Sequence, residues 1–328
     1  MNQFISVKPS RRRFLKWTLA GSGVALGCGG AWLGTSQQRA ARWARRLLTE
    51  ARRKISPAPV KPDPMRWSDH EITICWIGHA TVLINFLGVK ILTDPAFGDH
   101  VGVSFGLGTI GPKRYFAPAL RLKELPPIDV VLLSHAHMDH MDLFSLRHLP
   151  AKTFTVTARV TSDVLGGTGL QQVTELGWGD RATFHGANGD LQIEAFQVKH
   201  WGQRWPSELV RGYNGYLLRR EGRALLFGGD TAETPLFADL RSRGPFEAAI
   251  MPIGAYDPWI WNHCNPEQAV ELANLAGARY IVPVHHQTFR LSNERMREPI
   301  DRLETALHEE PERIALRRIG EQFVCPKT

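Results

Sequence analysis

The chain has 328 residues, 43% of them hydrophobic and 22% charged, which excludes a disordered or fibrous protein and suits a globular enzyme of one large domain or two ordinary ones. Its net charge of +8 sits at one end: residues 1–60 hold twelve Lys/Arg against the single acid Glu50, and the remainder has 28 Lys/Arg and 31 Asp/Glu, a net of −3. A mildly acidic body argues against a nucleic-acid partner, and a basic arm beside an apolar stretch points to an anionic lipid surface.

The segment Ser10-Arg11-Arg12-Arg13-Phe14-Leu15-Lys16, followed by an apolar, Gly/Ala-rich run from Trp17 to Leu33, resembles a twin-arginine export signal. No A-x-A site closes the run, and Ala25-Leu26-Gly27-Cys28 only half matches a lipoprotein box, so residues 1–36 read as a signal or a signal-anchor. That implies passage through the twin-arginine export machinery to the periplasm or the periplasmic face of the inner membrane. Residues 37–64 read as a basic amphipathic segment (Arg39 to Lys54, interleaved with Trp43, Leu47 and Leu48) and a Pro-rich linker from Ser56 to Pro64. Residues 65–328 read as one hydrolase domain. The four cysteines, Cys28, Cys75, Cys264 and Cys325, form no C-x-x-C pair.

Within the body, Glu71–Gly78, Thr81–Leu87 and Val89–Thr93 are expected strands, the third ending in Asp94-Pro95. Residues 96–118, rich in Gly and aromatics without periodicity, read as a long functional loop. Val130–Leu133 is a short buried strand. Hairpins are expected around Ala187-Asn188-Gly189-Asp190 and Glu221-Gly222, with strands Leu191–Val198, Tyr216–Arg219 and Arg223–Phe227. Ala248–Ile253, Tyr280–Val284 and Ile314–Val324 complete the strands. Asn265-Pro266-Glu267 opens a helix that stops near Gly277, and Asn293–Glu309 is expected to be mostly helix, interrupted by Pro299. Hairpins mixed with strand–helix alternation suit two stacked sheets with helices outside.

The strongest chemical signal is Ser134-His135-Ala136-His137-Met138-Asp139-His140, which follows the apolar run Val130–Leu133 and so lies on a loop at a strand end. Imidazole nitrogens and carboxylate oxygens suit zinc. His135 and His137, one residue apart, can face one ion, and Asp139 and His140 a second. His200, Asp230 and His285 end further strands, giving more donors than a single closed structural site would use.

The H-x-H-x-D-H pattern resembles the metallo-β-lactamase superfamily, and the resemblance runs over most of residues 70–325. It implies a four-layer αββα sandwich of α/β (α+β) class with two Zn2+. One zinc would take His135, His137 and His200, and the other Asp139, His140 and His285 (with His286 as the rival), with Asp230 bridging. The di-iron branch has Glu where this chain has His137, so hydrolysis is favoured over redox chemistry. Further segments resemble the N-acylphosphatidylethanolamine phospholipase D branch: Trp76-Ile77-Gly78-His79-Ala80-Thr81, Thr93-Asp94-Pro95, Gly111-Pro112-Lys113-Arg114, Trp178-Gly179-Asp180, Pro252-Ile253-Gly254-Ala255-Tyr256 and Asn265-Pro266-Glu267-Gln268. That branch cleaves the phosphodiester of N-acylethanolamine phospholipids. The resemblance implies Asp139 and His263 as catalytic residues, Tyr256 and His263 in the phosphate pocket, His79 behind a ligand carboxylate, and a phospholipid substrate at a membrane surface. The chain departs from the branch at Trp259, Ala136 and Met138. A hydrolase of a small soluble lactone or phosphodiester, or a metal-stabilised envelope protein, are the competing expectations.

Overall fold

The computed structural model describes residues 52–104, 109–187, 189–205 and 209–327. The twin-arginine motif, the apolar run after it and nearly all of the basic segment lie outside the described residues. Lys54–Thr328 form one compact unit. No helix among its described residues is long and apolar enough to cross a membrane.

Strands β1 (Ile72–Gly78), β2 (Thr81–Phe86) and β3 (Val89–Thr93) form an antiparallel meander, with Ile74 opposite Ile84 and Leu83 opposite Leu92. Strands β4 (Val103–Ser104) and β5 (Thr109–Ile110) pair apart as a small ribbon inside the expected long loop. Strands β6 (Val130–Leu133), β7 (Phe154–Ala158) and β8 (Val173–Leu176) extend the meander in parallel. The second sheet holds β9 (Arg181–Gly186), β10 (Gly189–Phe196), β11 (Gly215–Arg220), β12 (Arg223–Phe227), β13 (Phe246–Pro252) and β14 (Ala278–Val284), the last three parallel. β15 (Gln322–Val324) returns to the β1 edge, so the first sheet has seven strands and the second six.

Period-two patterning in the second sheet builds the layers. Tyr216, Leu218, Leu225, Phe227, Ala248, Ile250 and Val282 pack with Ile74, Trp76, Ile84 and Leu132 of the first sheet. Their chain neighbours Leu217, Leu226, Ala249, Met251 and Ile281 face the other way and pack on helices. Those helices are α2 (Pro266–Ala276), through Leu272, Ala273 and Ala276, and α3 (Glu298–Ala306), through Ile300 and Leu303. The first sheet has less helical cover: among the described residues it gains only the one-turn α1 (Leu143–Leu146), whose Leu146 joins the inter-sheet cluster. The architecture is thus the expected two-sheet sandwich with few helices.

Helix α2 begins and ends as its sequence dictates. The Asn265 side chain accepts from Gln268 N, Gln268 returns the bond to Asn265 N, and Gly277 closes the helix at φ 76°. Two expectations need correction. Pro299 sits in the first turn of α3, where its missing N–H is no loss, so it starts the helix rather than interrupting it. The strand expected over Ile314–Val324 is reduced to an isolated bridge between Ile281 and Ile314 and the three residues of β15.

The reason is a chain segment laid across that region. Ser56 N bonds Tyr115 O at 2.9 Å, Ala117 N bonds Ser56 O at 2.8 Å, and Val60 N bonds Ile319 O at 3.2 Å. A Cβ on Gly320 (φ 90°) would stand 1.8 Å from Val60 O. The Pro-rich stretch is therefore bonded along the body, and Gly320 lets the two backbones approach. The three described cysteines, Cys75, Cys264 and Cys325, are free and buried.

Candidate metal centre

Parallel strands β3 and β6 in one sheet and β12, β13 and β14 in the other deliver their C-terminal ends to a common edge, the usual place for a site in such sheets. Asp94 follows β3, residues 134–140 follow β6, Asp230 follows β12 and His285 follows β14. His200 comes shortly after β10. Gly229 allows the sheets to close there: at φ 57°, a Cβ would lie 2.7 Å from Asn214 O and 2.8 Å from Ser134 Cβ. The metal loop is braced by Arg204, which donates to Ala136 O at 2.8 Å and Met141 O at 3.0 Å.

The side chains converge as two groups. In the first, His135 Nε2 lies 2.7 Å from His137 Nδ1, and His200 Nε2 lies 3.3 Å from the same atom. In the second, His285 Nε2 is 3.4 Å and His140 Nε2 3.5 Å from Asp139 Oδ2. Asp230 joins them: its Oδ2 is 3.1 Å from His140 Nε2, 3.2 Å from His285 Nε2 and 3.8 Å from His200 Nε2. His285 and not His286 enters the cluster. The His286 ring is turned away and stacks on Trp76, with centroids 4.4 Å apart.

Whether these residues fit metal ions is answered by their unmet polar atoms. His140 Nε2, His285 Nε2 and Asp230 Oδ1 are buried and make no hydrogen bond, although lone-pair donors crowd around them. Buried polar atoms are rarely left so. The surrounding bonds also fix which ring nitrogen is bare. The Asn262 carbonyl can only accept, so His200 donates to it from Nδ1 at 2.8 Å and presents Nε2. Asp94 takes His140 Nδ1 at 2.7 Å, Ser134 Oγ at 2.6 Å and Ser134 N at 2.7 Å. With its proton given to Asp94, Ser134 Oγ accepts from His135 Nδ1 at 2.9 Å, and His135 too presents Nε2. Groups of donors within 4.8 Å of one another comprise His135, His137 and His200; His79, Asp139, His140 and His285; and two sets that include Asp230. The donor set fits metal cations.

Electrostatics point the same way. Burial pushes His135 and His200 well below the usual imidazole range, and His137 down to about 4. Burial acts on His140 and His285 too, but Asp230 and Asp139 outweigh it, holding His140 well above the ordinary value and lifting His285 to about 9. Burial would raise Asp139 and Asp230, yet the imidazoles, His140 first, hold both well below the carboxylate range. The two carboxylates thus draw positive charge onto His140 and His285, the place a bound cation would take.

Two residues behind the cage carry it. His79 Nε2 lies 2.9 Å from Asp139 Oδ2, as the sequence suggested, with His79 N bonded to Thr288 Oγ1 at 2.7 Å and His79 O accepting from His285 N at 3.0 Å. Asp94 was visible in the sequence as a strand end and as part of the matched Thr93-Asp94-Pro95 segment, with no role attached. An Asp-Pro pair there reads as a turn, and only its position at the same edge as Asp230 could have singled it out. His79, Asp94 and His285 adopt φ values of 54°, 34° and 64°. Such left-handed conformations in non-glycine residues are held by their surroundings and gather at functional sites.

Of the residues expected around the substrate, His263 is at the cage. Its ring is 5.0 Å from His200 and 5.3 Å from His285, and its buried Nδ1 is 3.7 Å from Asp230 Oδ2 and makes no hydrogen bond. Burial lowers its pKa to about 4. Tyr256 is buried with its hydroxyl committed to Glu298 Oε1 at 2.9 Å and Arg302 over its ring at 5.0 Å. Outside His137 opens a groove of about 460 Å³ lined by Trp201, Gln203, Arg204 and Trp205, which the sequence reading did not single out. Trp201 packs on His137 with centroids 4.5 Å apart.

Residues 89–286 match the model of the β-lactamase superfamily domain. The chain belongs to the metallo-β-lactamase superfamily. Like its relatives named as hydrolases, this superfamily member is an enzyme, a metallo-hydrolase. It is 34% identical over 256 residues to N-acyl-phosphatidylethanolamine-hydrolyzing phospholipase D 1 of Caenorhabditis elegans, covering 72% of this chain and 70% of that protein. It is 30% identical over 240 residues to the mitochondrial N-acyl-phosphatidylethanolamine-hydrolyzing phospholipase D of Saccharomyces cerevisiae, covering 70% and 50%. Among solved structures, the superfamily fold is shared with the isothiocyanate hydrolase from Delia radicum gut bacteria, at a TM-score of 0.62 and 18% identity over 76% of this chain and 98% of that one.

Proposed function

We propose that the chain is a binuclear zinc phosphodiesterase of membrane phospholipid, of the N-acylphosphatidylethanolamine phospholipase D type. The observation that carries the reading is the 34% identity, over 70% of its length, to a relative named for that hydrolysis. In the reaction, water adds to phosphorus, the bond from phosphorus to the ethanolamine oxygen breaks, and phosphatidate and N-acylethanolamine leave. His135, His137 and His200 would hold one zinc and Asp139, His140 and His285 the other, with Asp230 a further ligand. The ions supply the charge that acidifies water and polarises the phosphoryl oxygens.

The protein's own groups do the rest. Asp139, with 16% of its side chain exposed, is the more accessible of the two cage acids and can reach the attacking water. Its second task is fixed by His79, which holds the carboxylate in one orientation. His263 Nδ1 makes no hydrogen bond within the protein and offers a donor to a phosphoryl or leaving oxygen. Tyr256 acts by position: through Glu298 it ties the turn that carries His263 to α3. The Trp201 ring closes one side of the cage and limits solvent there.

We also propose that residues 10–16 export the chain by the twin-arginine route to the periplasmic side of the membrane, where phospholipid is at hand. Arg11→Lys, Arg12→Lys and Arg13→Lys together should block periplasmic accumulation; unchanged accumulation would exclude that route. The activity is tested with purified protein and N-acylphosphatidylethanolamine vesicles, reading N-acylethanolamine release. The expected result is release that His263→Gln lowers on the order of a hundredfold at unchanged metal content. No release, with a small lactone or soluble phosphodiester turned over instead, would overturn the phospholipid reading.

A further inference from the structure

The turn that leads into His263 exposes two tryptophans, Trp259 at 50% and Trp261 at 76%. Large exposed aromatics close together on a soluble face ask for a partner. This turn is not a loose tip. Asn262 N and His263 N bond Trp259 O at 2.8 and 2.9 Å, and Asn262 O receives His200 Nδ1 at 2.8 Å. The tryptophans are thereby tied to the cage and keep a fixed relation to its mouth.

A second loop is fastened to the first. Asn293 N bonds Asp257 O at 2.9 Å, and the Glu294 carboxylate accepts from Ala255 N at 2.6 Å and Asp257 N at 3.3 Å. That loop carries Arg290 and Arg295, both exposed. Neither guanidinium has an ion pair among the described residues, whereas Arg297 beside them is paired with Asp301 at 3.0 Å. Residues 255–263 and 287–297 together hold Arg290, Arg295 and Arg297 against Asp257 and Glu294, a net of +1 on a body whose residues 61–328 are net negative, and the Glu294 carboxylate is taken up by the backbone N–H groups of Ala255 and Asp257.

Indole rings seek the boundary between headgroups and acyl chains, and unpaired guanidinium groups seek phosphate. A protein groove would satisfy the rings but not the placement of the cations beside them. We propose that Trp259 and Trp261, with Arg290 and Arg295, form a membrane-docking edge that seats the mouth of the cage on a phospholipid bilayer. The inference rests on the phospholipid reading for its purpose, and its test is separable from it.

The test is hydrogen exchange of the full chain with and without vesicles of phosphatidylethanolamine and phosphatidylglycerol. Peptides covering 257–263 and 289–297 should exchange several-fold more slowly on vesicles. Trp259→Ser with Trp261→Ser should remove that protection and slow turnover of vesicle substrate on the order of tenfold. Turnover of a detergent-dispersed short-chain phosphodiester should stay within about twofold, since neither ring belongs to the cage. Vesicle binding with no protection of these loops would overturn the proposal, as would an equal loss on the dispersed substrate. So would protection that appears without lipid as protein concentration rises, which would assign the edge to a second copy of the chain. Protection without phospholipid hydrolysis would leave the docking edge standing and remove the substrate assignment instead.

Discussion

The cage and its mouth are built on opposite plans. Four of the seven cage donors are backed by a buried group: Asp94 stands behind His140 and, through Ser134, behind His135; His79 behind Asp139; and the Asn262 carbonyl behind His200. The mouth is carried on turns, and its large side chains, Trp205, Trp259 and Trp261, are between 44% and 76% exposed. The cage is over-determined because misplacing one donor strands charge in a low-dielectric interior. The mouth has no such constraint, and its side chains are free to meet a partner outside the protein.

The difference can be broken most severely at Asp230, whose Oδ2 lies within 3.8 Å of four imidazoles. Asp230→Asn should lower turnover on the order of a thousandfold and reduce bound metal per chain, read by elemental analysis. Chelation of the parent protein should act in the same direction on stability, lowering Tm by roughly 10 °C if the ions are held at about a thousand times their Kd. A variant with full metal content and full activity would show that the cage is not the reacting centre.

Asp94 sharpens the comparison, because it touches no substrate. Asp94→Asn keeps the volume but replaces one accepting oxygen by a donor, so Ser134 and His140 can no longer both be satisfied. Ten- to hundredfold losses in metal affinity or activity are about what removal of such a backing group costs. The discriminating readout is metal titration: weakened affinity with KM unchanged marks a positioning residue. An unaltered metal affinity with a raised KM would move Asp94 into the substrate pocket and break the division.

How much of this was legible in the sequence follows the same line. The seven cage residues could be read because histidine and aspartate at successive strand ends have few structural reasons to be there. Strands β1, β2, β3 and β6 were legible as apolar runs. β7 and β8 were not: FTVTA alternates over only five residues, VTEL has no regular period over four, and parallel pairing of β7 with β6 and of β8 with β7 makes them strands. The Ile314–Val324 stretch has strand-like composition, but its backbone bonds are divided among Ile281, Val60 and Trp76, contacts between distant parts of the chain. The direction of the Tyr256 side chain was not legible either, because it depends on Glu298, 42 residues away.

That residue gives the mildest test. Tyr256→Phe removes the hydroxyl bonded to Glu298 and keeps the ring on which Arg302 rests. Glu298 is partly exposed, at 38% of its side chain, so the lost bond should cost about 1 kcal/mol and lower Tm by roughly 2–4 °C. The turn carrying His263 would then be held less firmly, and the effect should fall on KM, by about two- to threefold, with kcat and metal content near the parent values. A hundredfold fall in kcat would mean that the hydroxyl leaves Glu298 for the reacting phosphate when substrate binds. In that case the mouth, at this one position, would share the chemical work of the cage.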